Sequence, residues 1–297
     1  MGNTHTPSHP GPPQTKPRLR VTDRDLEVFR FVEDYQVLST SQFRKLLFPS
    51  LSRTQKRLRA LSDAGLIRRF KRAVMFGTGS AEDLWLPTKK GIQLANSYHT
   101  RAKSNGVGSY RRGSYSELFL DHTLARNQFR VDLEVAVRQT SGATSMKWRQ
   151  GSEISVSVYG VIGNPPRLDR VTLVPDGLMD LQSSGSGTSF AVEIDRGTCT
   201  LGRLCKKLEF YRRFYEQITE KLQCNHNSLR ILVVTTNCKR CQSVRRKLQS
   251  SIPASGGVDD LIWFTCLDCM SRDAGGVLSQ EWITVHGKRK QLVGDLK

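Results

Sequence analysis

The chain has 297 residues, enough for two ordinary domains that each bury a core, and it carries a formal net charge of +19. Such an excess favours polyanionic partners, nucleic acid first. No segment approaches the roughly 18 apolar residues of a membrane span, and the polar, proline-rich N-terminus lacks the charged-then-apolar order of a secretion signal. Seven cysteines, an odd number placed entirely beyond residue 198, argue against a secreted disulfide framework; a cytoplasmic protein without a membrane partner is expected.

The positive charge is uneven. Residues 1–150 hold 26 Lys and Arg against 12 Asp and Glu, whereas residues 151–297 hold 20 against 15, so the first half is the expected electrostatic footprint. Residues 1–19, with His5, His9 and five prolines but almost no apolar side chains, predict a disordered tail. Thr22 as a cap, Asp23 and Asp25 in the first turn, and Leu26, Phe29, Phe31, Val32 and Tyr35 at helical spacing predict the first helix. Ser39 or Thr40 caps a short second helix over 42–47, with Phe43, Leu46 and Leu47 on one side and Pro49 beyond its end.

Ser52 opens a third helix over 53–64, with Leu58, Leu61 and Ala64 inward and Gly65 as its stop. Its other face carries Arg53, Gln55, Lys56 and Arg59, side-chain types that reach phosphates and base edges. Residues 66–70, which include Arg68 and Arg69, alternate like a strand, and Leu84-Trp85-Leu86 can return antiparallel to form a basic hairpin before a fourth helix over 88–98. Helix, helix, basic helix and hairpin is the order of a winged helix-turn-helix, which lays its third helix in the major groove and its wing along the backbone. A solvated positive face or a protein-binding module is the alternative. The gathering of positive charge on one helix and the adjoining hairpin favours double-stranded DNA, and the module is assigned to residues 20–98.

Residues 99–115 combine Gly, Ser and Arg without apolar periodicity and read as a basic linker. The second domain, 116–297, opens with a long helix to about residue 138, with Leu120, Leu124, Val131 and Val135 along one side and His122 and Asn127 beside that stripe. A single histidine next to an apolar face is more often a satisfied core or interface residue than a ligand. Trp148 and the alternating residues 154–158 predict the first strand. The runs 171–174 and 190–194 flank a Gly/Ser-rich turn, 183–189, and read as a hairpin. Asp176 closes the first run and Glu193-Ile194-Asp195 the second. Asp176 and Glu193 then converge, with a carbonyl such as that of Ile194, on one Mg²⁺ or Mn²⁺. Such an ion would polarise a phosphate and acidify a bound water, and Lys207, on a helix over 201–217, would position that water or offset developing charge.

This pattern resembles the PD-(D/E)xK nuclease superfamily, with one departure: Asp195 stands where that superfamily places a lysine, so the ammonium has to come from Lys207 on the next helix, as in some members. The resemblance implies an α+β chain in which the winged helix-turn-helix precedes an α/β domain of restriction-endonuclease type, with Asp176, Glu193 and Asp195 holding the metal. On the residues alone, acidic strand ends are also compatible with a solvated sheet edge. A wider order is similar to the bacterial replication-relaxation family over residues 20 to 285. It comprises Thr22-Asp23-Arg24-Asp25 through Ala64-Gly65-Leu66, the helix with His122, Pro175-Asp176-Gly177, Glu193 to Thr198, Lys207-Leu208 with Tyr211, and Trp263-Phe264-Thr265. It implies a protein of plasmids or mobile elements, acting in replication or in the relaxation complex that precedes transfer, with a relaxase or replication initiator as partner; a homodimer is left open. Two functions follow: a Mg²⁺-dependent nicking endonuclease, or a catalytically silent DNA-binding regulator or relaxosome accessory protein.

Cys238-Lys239-Arg240-Cys241 and Cys266-Leu267-Asp268-Cys269 are CxxC pairs with 24 residues between them. Four thiolates at that spacing suit a structural Zn²⁺. Each pair follows a strand-like run, 231–234 and 261–264, and adjacent parallel strands would bring both to one sheet edge. Unliganded thiols are the alternative, because neither pair has the Gly or Pro of a zinc knuckle. Cys224 and His226 are spare ligands, while Cys199 and Cys205 are expected to pack.

Overall fold

The computed structural model describes residues 19–72, 81–98, 116–140, 144–162, 166–183, 185–224, 228–252, 260–272 and 276–293. The expected tail (apart from residue 19), the basic linker and His226 lie outside them. Among the described residues the chain is a mixed α+β protein with ten α-helices and a large mixed sheet. No helix there is long and apolar enough to cross a membrane.

Helix α1 (Asp23–Tyr35) starts where the Thr22 backbone N–H and hydroxyl both donate to the Asp25 carboxylate at 2.7 Å. After β1 (Leu38–Ser39), Ser39 and Gln42 exchange cap hydrogen bonds to open α2 (Thr40–Leu47). The cap of α3 (Leu51–Asp63) is Ser50 rather than Ser52: Ser50 has the extended backbone of a cap and accepts from the Arg53 N–H, and its carbonyl accepts from Thr54. Gly65, at φ +72°, ends the helix as expected, with the Leu66 N–H returning to the Leu61 carbonyl. β2 (Ile67–Phe70) and β3 (Leu84–Pro87) pair antiparallel and lead into α4 (Lys89–Tyr98). β3 also pairs with β1, a two-residue strand too short to leave a pattern in the sequence. Phe29, Tyr35, Phe43, Leu58, Leu61 and Trp85 fill the core of this half.

Helix α5 (Glu117–Gln139), capped by Ser116, is the wall between the halves. One apolar stripe was expected, and the structure has two. Val131 and Val135 enter the N-terminal core, while Phe129, Leu133 and Ala136 pack on the large sheet. Asn127 is fully buried and donates to the Tyr35 and Val37 carbonyls at 2.9 and 2.6 Å, and the Tyr35 hydroxyl donates to Glu134 at 2.7 Å.

The strands then run β4 (Ser145–Arg149), β5 (Val156–Ile162), β6 (Arg167–Leu173), β7 (Gly177–Ser183) and β8 (Ser186–Asp195), followed by α6 (Leu201–Arg213), α7 (Tyr215–Lys221), β9 (Leu229–Thr235) and α8 (Cys238–Gln249). The chain continues through β10 (Ile262–Cys266), α9 (Leu267–Arg272), α10 (Gly276–Ser279), β11 (Trp282–Thr284) and β12 (Arg289–Lys290). The sheet order is β12-β11-β10-β9-β8-β7-β4, with β8, β9 and β10 mutually parallel. Helices α6 and α8 cover one face and α5 and α10 the other, which buries the central strands on both sides.

Two strand expectations are corrected. The first strand of this half is β4, with Trp148 inside it; Ile154 ends a 3₁₀ turn, and residues 156–162 pair only with β6 in a separate hairpin. The run 171–174 does not pair with 190–194 either: its partner is β5, and β8 pairs with β7. β7 was hidden because Asp180 interrupts its apolar run. That side chain is buried, where Arg149 at 3.2 Å and the Ser189 hydroxyl at 2.5 Å satisfy it. The helix expected over 201–217 breaks at Phe214 into α6 and α7.

Candidate active site

Asp176 meets Glu193 from the start of β7, not from the end of β6. Gly177 stands opposite Val192, so the Asp176 N–H reaches the Val192 carbonyl at 2.9 Å and its Oδ2 accepts from the Ile194 N–H at 2.7 Å. Its Oδ1 lies 2.8 Å from Nε2 of His122 on α5. Glu193 points to the opposite face from Ile194, toward α6. There Lys207 Nζ donates to its Oε2 at 2.6 Å and the Tyr211 hydroxyl to its Oε1 at 2.7 Å. Lys207 and Tyr211 are one turn apart on α6, whose phase is set by the Thr200 cap, and Lys207 also donates to the Val174 carbonyl at 2.9 Å.

Asp195 shares Glu193's face of β8 but is engaged elsewhere. Arg240 of α8 donates to it from Nε at 2.7 Å and from Nη2 at 3.3 Å, and the Gly197 N–H adds a third bond. Of the three acidic residues read from the sequence, Asp176 and Glu193 converge, while Asp195 holds α8 to the strand.

The two converging carboxyls titrate apart. Burial pushes Glu193 up to about 7, with the Asp176 charge adding to the rise and Lys207 and Tyr211 opposing it. Burial also raises Asp176, but the His122 hydrogen bond and charge, the Ile194 N–H and Lys207 outweigh it and leave that carboxyl below its ordinary value. One group is thus ionised at neutral pH while its neighbour exchanges protons there. Tyr211 is held well above the usual phenol range, by burial first and then by Glu193. The carboxylates open onto a cleft of about 530 Å³ with a basic lining of His122, Arg196, Arg203, Lys206 and Lys207 and an apolar wall of Val171, Leu173 and Phe210. Arg126, one turn beyond His122 on α5, is half-buried and pushed down to about 10, by burial against the pull of Asp176.

A family model described as replication-relaxation matches residues 29–228, which contain the second part of α1, helices α2 to α5, both carboxylates and Lys207. The chain belongs to the replication-relaxation family. Membership points to plasmid or mobile-element replication. Neither the curated proteins nor the solved structures contain a match to the chain. The replication-relaxation match ends before α8, so the CxxC pairs lie beyond it.

Among the residues expected to touch DNA, Arg53, Lys56 and Arg59 are exposed on α3, Gln55 is half-buried beside them, and Arg68 is exposed on β2. Arg69 is half-buried and pairs with Asp83 at 2.6 Å. Arg57, on the same helix, turns inward to the buried Asp25. Just past β2, Arg72 pairs with Asp121 at 2.6 Å, and Asp121 also takes Arg196 at 2.9 Å, which joins the hairpin of the N-terminal half to the rim of the cleft.

His122, expected to be a packing residue, lines the cleft and bonds to Asp176, and Tyr211, given no role in the site from the sequence, bonds to Glu193. Both are legible as i, i+4 pairs, His122 with Arg126 and Lys207 with Tyr211. Of the four CxxC cysteines, three converge: the Sγ atoms of Cys238, Cys266 and Cys269 lie 3.0 to 3.3 Å apart. Cys241 is buried outside that trio but lines the same cavity. Cys205 and Cys224 are buried core residues, and the partly buried Cys199 packs against the same core.

Proposed function

We propose that this replication-relaxation protein binds duplex DNA of a plasmid or mobile element and nicks it in a divalent-metal-dependent reaction. The order α1, α2, α3 and the β2–β3 hairpin support a winged helix-turn-helix, with Arg53, Gln55, Lys56 and Arg59 toward the major groove and Arg68 on the wing. The succession α5, β4, β7, β8, α6, β9, with the β5–β6 hairpin as an insertion, supports a restriction-endonuclease-like domain. The observation that carries the reading is the meeting of Asp176 and Glu193 at paired strand ends, with Lys207 reaching back from α6 to Glu193.

The donor set fits Mg²⁺ or Mn²⁺ in kind. Two carboxylates offer hard oxygens, every partner they now have is a donor or a cation, and the raised Glu193 is the group that a divalent ion would keep ionised. Asp176 and Glu193 would hold the ion, which when bound polarises the phosphate and acidifies a water. His122 fixes the Asp176 carboxylate and Tyr211 that of Glu193. Lys207 sits where an ammonium orients a water or offsets developing charge, and Arg196, Arg203 and Lys206 give the scissile phosphate a basic seat. Because Asp121 bridges Arg72 and Arg196, a duplex laid along the wing leads into the cleft.

Incubating supercoiled plasmid with Mg²⁺ or Mn²⁺ tests this: wild type should yield open-circular product, and Asp176→Ala and Glu193→Ala should abolish it while retaining duplex binding. A second reading, a catalytically silent DNA-binding regulator or relaxosome accessory protein, is favoured by one observation: all four carboxylate oxygens already have partners within the chain. Clean protein that binds duplex but gives no open circle over a wide range of metal and salt supports that alternative. A relaxase or replication initiator is the proposed protein partner in either case.

A further inference from the structure

We propose that Cys238, Cys266 and Cys269 bind one thiophilic divalent ion, of the Zn²⁺ type, at the carboxyl ends of β9 and β10. The three thiols come from three elements: Cys238 from the first turn of α8, Cys266 from the last position of β10, and Cys269 from α9. The parallel register sets Cys266 beside Thr235, the last residue of β9, and the short connection to α8 places Cys238 three positions further along. No local turn imposes this meeting. The sheet brings it about.

The spacing of the sulfurs indicates what would sit among them. The separations of 3.2, 3.3 and 3.0 Å are far longer than the roughly 2.05 Å of a disulfide bond. They come nearer to the edge of a tetrahedron with Zn–S bonds of about 2.3 Å, which measures about 3.8 Å. Cys205 and Cys224, by contrast, belong to the apolar core and lie outside the trio. The trio converges on a common point at the wall of a cavity of about 290 Å³, which Cys241, Gln242 and Gln280 also line. A set made only of thiols selects soft ions over Mg²⁺ or Ca²⁺, so this site and the carboxylate pair would take different metals. Cys241, one helical turn from Cys238, lines the same cavity and would be available as a fourth ligand.

An ion there would join the start of α8 to the end of β10. Arg240, two residues after Cys238, is the side chain that clasps Asp195 and the Cys199 carbonyl. The metal would therefore fix the helix end that braces β8 behind Glu193, in the part of the chain beyond the replication-relaxation match. None of the carboxylate residues belongs to this thiol site, so metal binding here and nicking can fail independently.

The test is metal analysis of the full chain, purified reduced and without chelators, followed by Co²⁺ substitution. The expected result is about one Zn per chain and a thiolate-to-cobalt charge-transfer band with the intensity of three or four sulfurs. Cys238→Ser, Cys266→Ser and Cys269→Ser should each lose the metal, and Cys205→Ser should keep it. A reduced wild type that takes up no Zn²⁺ after reconstitution overturns the proposal, as does a cobalt band worth two sulfurs or fewer. The wild-type cobalt titration decides the matter even if the serine variants fail to fold.

Discussion

His122 Nε2 lies 2.8 Å from Asp176 Oδ1, across 54 positions of sequence. The contact ties α5, the wall between the halves, to the start of β7, and together with the Ile194 N–H on Oδ2 it fixes the orientation of the Asp176 carboxylate. In the proposed nicking reaction His122 is a positioning residue. His122→Ala is expected to lower metal-dependent nicking about 10–100-fold, the usual scale for groups that orient a metal ligand, while gel-shift affinity for duplex is retained. His122→Gln, whose amide still donates, is expected to recover part of the loss. Unchanged nicking in His122→Ala would remove this residue from the site.

The raised carboxyl of Glu193 makes a pH-dependent claim on stability. Its folded-state pKa is about 7 against an ordinary 4.5, so between those values the folded chain holds a proton that the unfolded chain has released. The stability it contributes is fully present below pH 4.5 and is lost as pH rises through 7, a change on the order of a few kcal/mol. In metal-free buffer, Glu193→Gln is therefore expected to gain in Tm relative to wild type as pH goes from 5 to 8. Mg²⁺ at pH 8 should raise the wild-type Tm and leave the variant unmoved. A Tm difference that is flat with pH would show that Glu193 is not a strained buried charge.

α3 turns Arg57 inward and leaves Arg53, Lys56 and Arg59 exposed, and the proposed division of labour between them is measurable. Arg53→Ala, Lys56→Ala and Arg59→Ala should each weaken duplex binding and reduce the salt dependence by about one unit of slope per lost phosphate contact, with Tm unchanged. Arg57→Ala should do the reverse. It strips the partner from the fully buried Asp25, at an expected cost of about 3–5 kcal/mol. Burial raises the Asp25 carboxyl, but Arg57 and Thr22 outweigh it and hold it below 3.8. That contribution is present above pH 3.8 and lost as pH falls through the folded value, so the gap between wild type and Arg57→Ala should narrow in acid. A Tm gap that persists unchanged at low pH would point to packing instead.

Much of the N-terminal half was legible because its helices carry punctuation, the Thr22 and Ser39 caps, Pro49 and Gly65 at positive φ, although the cap of α3 is Ser50 rather than Ser52 and the two-residue β1 left no pattern. The large sheet was less so. Strands buried on both faces lose the alternation that marks a half-exposed strand, and Asp180 broke the apolar run of β7, although it is a buried and satisfied side chain. Asp176 and Glu193 nevertheless line one cleft, because Gly177 opposite Val192 sets the residue before it beside Glu193. His122 and Asp121 could not be placed, since nothing local in α5 says which side faces Asp176, Arg72 and Arg196.

Gly177 is the position where a single added carbon should separate the two halves of the proposed function. A Cβ there would lie 2.0 Å from Cζ2 of Trp148 on the neighbouring β4, far inside any contact distance. Trp148 is itself confined, with its indole N–H on Gln150 and the Arg130 guanidinium over its ring, so the backbone of β7 has to give way. Asp176 is the preceding residue and holds the Ile194 N–H at 2.7 Å, so its carboxylate moves with it. Gly177→Ala is expected to cost about 1–3 kcal/mol of stability, the scale of overpacking a filled core, and to abolish nicking while α3 still binds duplex. Adding Trp148→Leu opens the space the methyl needs, so the double variant should be more stable than the sum of the single effects allows, a coupling that a double-mutant cycle measures directly. Additive losses would mean that the tight approach of Gly177 to Trp148 does not govern where Asp176 sits.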